Sequence, residues 1–348
     1  MIPDRARRTG FVRLGSSMLL VAFLCLGGMG SFDAIHRSSA SIAQLPTASP
    51  TVSAISSPSP RWDAGLAYDA RDGYVVLFGG ETTASFQNDT WTYVNGTWAN
   101  ISQAQAPSQR VAPDMIYDGY DRYVLLFGGY YTNAHGSQFL LNDTWAFANG
   151  TWSRIRTTTA PPVSPGFGEG RMAYDVADHC VYLLTGGAVG LWTYRAGVWS
   201  PAASVAGNGL PPPRERGNVV YDPRNGYFLM LEGNRTWTYS GGVWTNFTTS
   251  QAPRVHFGGD GDGMVFDRRA GHVVLFGCYF SYSNGTYVDQ TWKYGHATWT
   301  LVRTLNPPGM YSASLTYDVR DRYVLVFGGI YSNGPSNRVW TLSAGVWS

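Results

Sequence analysis

The chain of 348 residues has few charged side chains and almost no lysine. Only 14% of its residues are charged, and Lys293 is the one lysine among 25 basic residues. The net charge is +2, which falls short of the concentrated basic surface that nucleic-acid binding requires. We therefore expect no nucleic-acid partner.

Cysteine and histidine are also scarce, with three cysteines and six histidines in the whole chain. None of them shows the Cys/His spacing of a metal site. We therefore expect no metal and no other cofactor. Helical periodicity is nearly missing as well, whereas 44% of the residues are hydrophobic and 15% aromatic, which is typical of a large all-β core.

Two rigid sequence units occur six times each. The first begins with an aromatic residue, followed by Asp in each copy, and ends at a bulky apolar residue ten positions later. Its copies run from Tyr68 to Phe78, Tyr117 to Phe127, Tyr174 to Leu184, Tyr221 to Leu231, Phe266 to Phe276 and Tyr317 to Phe327. The second unit is a pair of tryptophans seven residues apart: Trp91/Trp98, Trp145/Trp152, Trp192/Trp199, Trp237/Trp244, Trp292/Trp299 and Trp340/Trp347.

Each unit has the pattern of a β-hairpin, because a turn signal such as Asn95-Gly96 separates two β-branched and aromatic runs. Each repeat thus supplies four antiparallel strands, here called a, b, c and d. Six sheets of four strands bury their faces by packing radially, so the sequence predicts an all-β, six-bladed β-propeller. A stacked solenoid fits less well, since solenoid repeats are usually shorter and carry fewer strands.

The repeat residues Tyr-Asp, Phe-Gly-Gly, Asn-Asp-Thr-Trp and a second Trp resemble the kelch repeat. This resemblance covers about Pro60 to Ser348 and implies a kelch-type propeller. Some copies depart from it: Thr185, Glu232 and Cys278 replace glycines of the Gly-Gly pair. Kelch propellers include adhesins, scaffolds and a few enzymes, so the resemblance does not fix a function.

All variation in length falls between the rigid units. The gap from the strand b residue to the first Trp is 13, 18, 8, 6, 16 and 13 residues, whereas the hairpin spacings never change. These b–c connections, and the d–a connections, emerge on the same face of an up-and-down blade. That face is where binding loops are expected.

The long b–c connections carry a recurring Tyr-x-Asn piece that suits a sugar or a peptide, because a ring can pack on C–H groups while amides bond to hydroxyls. The candidate ligand-binding residues are Tyr131, Asn133, Tyr282, Asn284, Tyr331 and Asn333. The alternative is that these aromatics only pack their own loops.

Arginines near the start of strand a form a second candidate set. They are Arg61, Arg110, Arg171, Arg214, Arg216 and Arg254. A similar ring of arginines serves acidic ligands in some kelch propellers, and a guanidinium can fork a carboxylate. The sequence favours the alternative, in which these arginines bond to neighbouring carbonyl and carboxylate groups and hold the blades together.

The N-terminus predicts an export element. Four arginines precede the uncharged segment from Leu14 to Phe32, so residues 1–33 have the pattern of a signal peptide or an N-terminal membrane anchor helix. Residues 34–60 form a Ser/Ala/Pro-rich linker, in which 51–56 could add an outer strand to the sixth blade. The propeller then occupies 61–348 and lies outside the cell, secreted or anchored, with membrane contact only through the N-terminal segment.

Eight Asn-x-Ser/Thr sequons occur, and an exported glycoprotein would expose some of them. They are Asn88, Asn95, Asn100, Asn142, Asn149, Asn234, Asn246 and Asn284. Several coincide with positions where a turn favours Asn for structural reasons.

The sequence favours a non-enzymatic, exported binding module whose partner is an extracellular glycan or protein. The alternative is a propeller enzyme acting on carbohydrate. An oxidase of the galactose oxidase type would need a Tyr–Cys crosslink, for which Cys278 is only an approximate source. A glycosidase-like carboxylate pair could come from Glu169, Asp260 and Asp262, although the last two have a turn-like context.

Overall fold

The repeats fold as separate four-stranded antiparallel sheets. The structure is a computed structural model that describes residues 57–163, 172–185, 190–202, 205–206, 218–247, 252–253, 263–281, 286–303 and 309–348. The expected export element at 1–33 and the expected extra strand at 51–56 lie outside these residues. Within them, no helix is long and apolar enough to cross a membrane.

The first three blades follow the order a, b, c, d from the centre outwards. Blade 1 contains β1 (Gly65–Asp69), β2 (Tyr74–Phe78), β3 (Thr90–Val94) and β4 (Thr97–Asn100). Blade 2 contains β5 (Asp114–Asp118), β6 (Tyr123–Phe127), a separate hairpin of β7 (Tyr130–Thr132) and β8 (Gln138–Leu140), then β9 (Thr144–Ala148) and β10 (Thr151–Ile155). Blade 3 contains β11 (Met172–Asp175), β12 (Cys180–Leu184), β13 (Leu191–Arg195) and β14 (Val198–Pro201).

The last three blades repeat this order with additions. Blade 4 contains β15 (Val205–Ala206), β16 (Asn218–Asp222), β17 (Tyr227–Glu232), β18 (Arg235–Ser240) and β19 (Val243–Phe247), with β15 parallel to β19 at the outer edge. Blade 5 contains β20 (Gly263–Asp267), β21 (His272–Ser281), β22 (Thr286–Gly295) and β23 (Thr298–Val302). Blade 6 contains β24 (Met310–Asp318), β25 (Tyr323–Tyr331), β26 (Gly334–Pro335), β27 (Val339–Ser343) and β28 (Val346–Trp347).

The six a strands form a closed inner ring. Each a strand contacts the a strands of both neighbouring blades, and β24 of blade 6 contacts β1 of blade 1. Ser314 on β24 also donates a hydrogen bond to the carbonyl of Ala64 beside β1, at 2.5 Å. The prediction of six blades is confirmed, and strand a is the innermost strand of each blade.

The aspartate of each Tyr-Asp pair closes the turn between strands a and b. Its Oδ1 accepts hydrogen bonds from the backbone N–H groups two and three residues later, which is an Asx turn. The six aspartates are Asp69, Asp118, Asp175, Asp222, Asp267 and Asp318. Because the same Asx turn recurs in every blade, the ten-residue spacing is constant.

The Gly-Gly pair after strand b lets the next blade approach closely. Gly79 has a φ of +69°, and a Cβ there would lie 2.7 Å from the carbonyl oxygen of Arg110, which precedes blade 2. Gly80 donates its N–H to that same carbonyl at 2.9 Å. A side chain at Gly79 would therefore meet both backbone strain and a clash.

The second tryptophan of each pair, on strand d, packs against the preceding blade. Trp152 of blade 2 lies on Phe78 of blade 1, with ring centroids 5.1 Å apart. Three other pairs of adjacent blades have the same contact: Trp199 with Phe127, Trp347 with Phe276, and Trp98 with Phe327. The tryptophans of strand d thus pack between blades at these four seams.

The same tryptophans also form hydrogen bonds between blades. Four of these indoles donate Nε1–H to the hydroxyl of a buried threonine on strand c of the preceding blade, directly before the first tryptophan of that blade. The pairs are Trp152 with Thr90, Trp199 with Thr144, Trp299 with Thr236 and Trp347 with Thr291, at 2.9 to 3.0 Å. Blade 6 has Val339 at the threonine position, and the buried Nε1–H of Trp98 has no hydrogen-bond partner among the residues that the structure describes. The seam between blades 6 and 1 therefore lacks this bond.

The N-terminal end of the described region crosses the same seam. Arg61 donates its backbone N–H to the carbonyl of Ser336, and Gly329 donates to the carbonyl of Arg61, both at 3.0 Å. The Asn337 side chain donates to the carbonyl of Pro58 at 3.2 Å. Pro58, which the sequence assigns to the linker, and Arg61, the first residue of the predicted propeller, thus contribute to ring closure.

Substituting Val339→Thr should stabilise the fold by about 1 kcal/mol, because the new hydroxyl can accept the Trp98 hydrogen bond that the wild type lacks. The measurement is the midpoint of urea unfolding. The matched control is the same substitution in a Trp98→Phe background, where no gain is expected. An equal effect in both backgrounds would contradict the account of the seam.

Candidate functional site

The two faces of the propeller differ in how firmly they are fixed. The a–b and c–d turns lie on one face, here called the scaffold face, where Asx turns recur. Turns of adjacent blades are also bonded there: Asp72 accepts from the N–H of Asn149, and Asp121 from the N–H of Ala196. The b–c and d–a connections lie on the opposite face, here called the loop face, which carries all the length variation.

The hairpin of β7 and β8 is the most distinct feature of the loop face. Tyr131 and Phe139 lie directly opposite each other across it, and their rings stack with centroids 5.1 Å apart and planes 11° apart. Phe139 is 44% exposed. Asn133 caps the turn, since its Oδ1 accepts from the N–H groups of His135 and Ser137. Tyr131 and Asn133 therefore shape this hairpin, and Phe139 presents its ring to solvent.

The other Tyr-x-Asn pieces differ from the one in blade 2. In blade 6, the Tyr331 hydroxyl accepts a hydrogen bond from Trp340 Nε1 at 2.9 Å, while Asn333 is exposed. In blade 5, Tyr282 and Asn284 lie outside the described residues, between the ends of the ten-residue strands β21 and β22. The pieces thus belong to three b–c connections on one face, and their joint action on a ligand stays a prediction.

Arg110 is fully buried, and all of its N–H donors are used. Its Nη1 donates to Asp143 Oδ1 and to the carbonyl of Gly128, at 2.7 and 2.8 Å. Its Nη2 donates to Asp143 Oδ2 and to the Ser108 hydroxyl, and its Nε donates to the Ser108 carbonyl. No N–H remains for a ligand. The geometry supports the architectural alternative.

Arg61 repeats this arrangement in blade 1. Its guanidinium forks Asp89 at 2.5 and 2.8 Å and donates to the Gly79 carbonyl and to Ser59. In both blades the aspartate also accepts from the Nε1–H of the first tryptophan, Trp91 or Trp145, at 2.7 Å. Each arginine therefore links the segment that precedes strand a to the b–c connection of the same blade.

Burial alone would raise the pKa of Asp143, but the hydrogen bonds and charge of Arg110 outweigh that effect and hold it below its usual value. The carboxylate therefore stays ionised at neutral pH, and the buried pair carries no net charge. Such a pair contributes structure rather than a free charge for binding.

Most of the remaining candidate arginines do not share the repeat position of Arg61 and Arg110. Those two precede the repeat aromatic by seven residues, and of the others only Arg214 does so. Arg171, Arg216 and Arg254 precede it by three, five and twelve residues. All four lie outside the described residues, so their role as anion ligands stays a prediction. In blade 6, Met310 takes the arginine position and Arg338 the aspartate position.

Six of the sequon asparagines, all but Asn246 and Asn284, are exposed. Asn95 and Asn149 have φ values of 50° and 51° in c–d turns, a conformation that favours Asn. Asn100 accepts a hydrogen bond from the N–H of Ser102. Asn246 is half-buried, and Asn284 lies outside the described residues. Turn geometry thus accounts for three of them without glycosylation.

The described residues contain no group of three or more His, Cys, Asp and Glu side chains that could hold a metal ion. Glu169, Asp260 and Asp262, the possible glycosidase-like carboxylates, lie outside these residues, and so does the side chain of Cys278.

The comparisons with known proteins support the fold of this chain and no family. No family model and no curated protein matches the chain. A solved structure titled "Structure of YjhT" is similar, with a TM-score of 0.57 and 14% sequence identity, over 84% of this chain and 98% of that one. At this identity the likeness shows the propeller fold alone. The kelch resemblance therefore rests on the repeat residues.

Substituting Asp143→Asn should destabilise the protein by about 3–5 kcal/mol at pH 7, because it leaves the buried Arg110 charge without its partner. The lowered pKa of Asp143 means that the wild type loses this contribution as the pH falls through that pKa, below 3.8. Urea unfolding should therefore show a difference between the two proteins that shrinks on acidification. A variant as stable as the wild type at pH 7 would contradict the structural role.

Proposed function

We propose that this protein is an exported binding module that takes an extracellular glycan or protein on the loop face of its propeller. The observation that carries the proposal is the stacked pair Tyr131 and Phe139 in the β7–β8 hairpin, with Phe139 44% exposed. An exposed aromatic held rigidly on a fixed scaffold loses little conformational entropy on binding.

The chemistry of this hairpin suits a sugar ring. The exposed Phe139 face can pack against the C–H side of a pyranose, and an exposed polar side chain in the turn of the same hairpin, His135, can bond to hydroxyls. A peptide could use the same ring. The export element and the sequons are consistent with a location outside the cell, secreted or anchored by the N-terminal segment.

The difference between the two faces supports a binding role for the loop face. The scaffold face is fixed by Asx turns and inter-blade bonds, so the loop-face connections can vary without loss of the fold. Blades 2, 5 and 6 use this freedom for long b–c hairpins.

Substituting Phe139→Ala should weaken ligand binding by about 1–3 kcal/mol, by analogy with aromatic stacking on bases, and leave the melting temperature unchanged. The measurement is binding of the full chain to a glycan array and to intact cells. The matched control is Tyr120→Ala, which removes a similarly exposed aromatic (47%) from the scaffold face of the same blade.

Full retention of binding by Phe139→Ala, or equal losses in both variants, would contradict the proposed site. Binding to cells that survives enzymatic removal of glycans would assign a protein partner. Turnover of an arrayed sugar would favour the carbohydrate-active enzyme instead.

A further inference from the structure

An open groove of about 370 Å³ lies at the loop-face end of strands c and d in blade 2. It is formed where β9 begins and β10 ends, and the connection to blade 3 borders it. Its lining includes Asn142, Asp143, Arg154, Ile155, Arg156 and Thr157. The volume is at the lower end of the range for small-molecule sites.

The groove carries a net positive charge. Arg154 and Arg156 are exposed, and neither forms an ion pair or a side-chain hydrogen bond within the part of the chain that the structure describes. Asp143 is the acidic residue of the lining, and the buried Arg110 neutralises it through two hydrogen bonds. Two guanidinium groups are therefore available to an anion.

The rest of the lining is suited to a polyol. Asn142 is exposed and offers an amide that can donate to and accept from hydroxyls, and Thr157 adds a hydroxyl. Ile155, which lies between the two arginines in the sequence, is half-buried and adds a small apolar surface to the groove. Such a combination can hold the hydroxyls and the C–H side of a sugar ring at once.

We infer that this groove binds an acidic sugar of the uronic acid type, with Arg154 and Arg156 holding its carboxylate. A guanidinium donates two parallel hydrogen bonds to a carboxylate, which discriminates strongly against the neutral sugar. This inference deepens the proposed function, because it names a ligand class for the loop face. It does not depend on Phe139, which belongs to the separate β7–β8 hairpin.

The test is isothermal titration of the full chain with digalacturonate and, as the neutral counterpart, with a galactose disaccharide. We expect binding of digalacturonate only, weakened by added salt. The double variant R154Q/R156Q should lose at least tenfold in affinity. The control R71Q/R268Q removes the same charge from exposed positions on the scaffold face and should bind as the wild type does.

Several outcomes would overturn the inference. They are no binding of digalacturonate by the folded wild type, equal affinity for the neutral disaccharide, equal losses in both double variants, or tighter binding of an acidic dipeptide. The proposed function has its own test, which is the binding of Phe139→Ala to the glycan array. We expect this variant to bind digalacturonate as the wild type does.

Discussion

The contact of each strand d tryptophan with the preceding blade is the interaction on which this ring depends. The blades are joined covalently only through the connecting segments, so non-covalent contacts, chiefly those of side chains, must hold adjacent blades at one angle. Trp152 does so by packing on Phe78 and by donating its N–H to Thr90. Burial of the indole provides energy, and the hydrogen bond provides orientation.

The location of the contacts that fix blade geometry explains where the sequence can change. The residues that set blade geometry in every repeat lie inside the sheets or on the scaffold face, as the six Asx turns do, whereas the buried Arg110–Asp143 pair lies at the loop-face end of blade 2. The loop face does not contribute to these contacts in the same regular way. Long hairpins and exposed arginines such as Arg154 can therefore appear there without weakening the ring.

The regular part of the structure could be predicted from sequence because it depends on local registers. Turn residues and the two fixed spacings were sufficient for six blades and their strand order. The role of Arg61 and Arg110 could not be decided this way, because it depends on which carboxylate each reaches after folding. Phe139 was missed, although the pattern around Gly136 could have indicated a hairpin that places it opposite Tyr131.

The most direct test of this account compares the two tryptophans of blade 2 by urea unfolding. Trp152 is 3% exposed and lies between blades, whereas Trp145 is half-buried. We predict that Trp152→Ala costs about 3–5 kcal/mol and that Trp145→Ala costs clearly less. A larger loss from Trp145→Ala would contradict the claim that the strand d tryptophans hold the ring together.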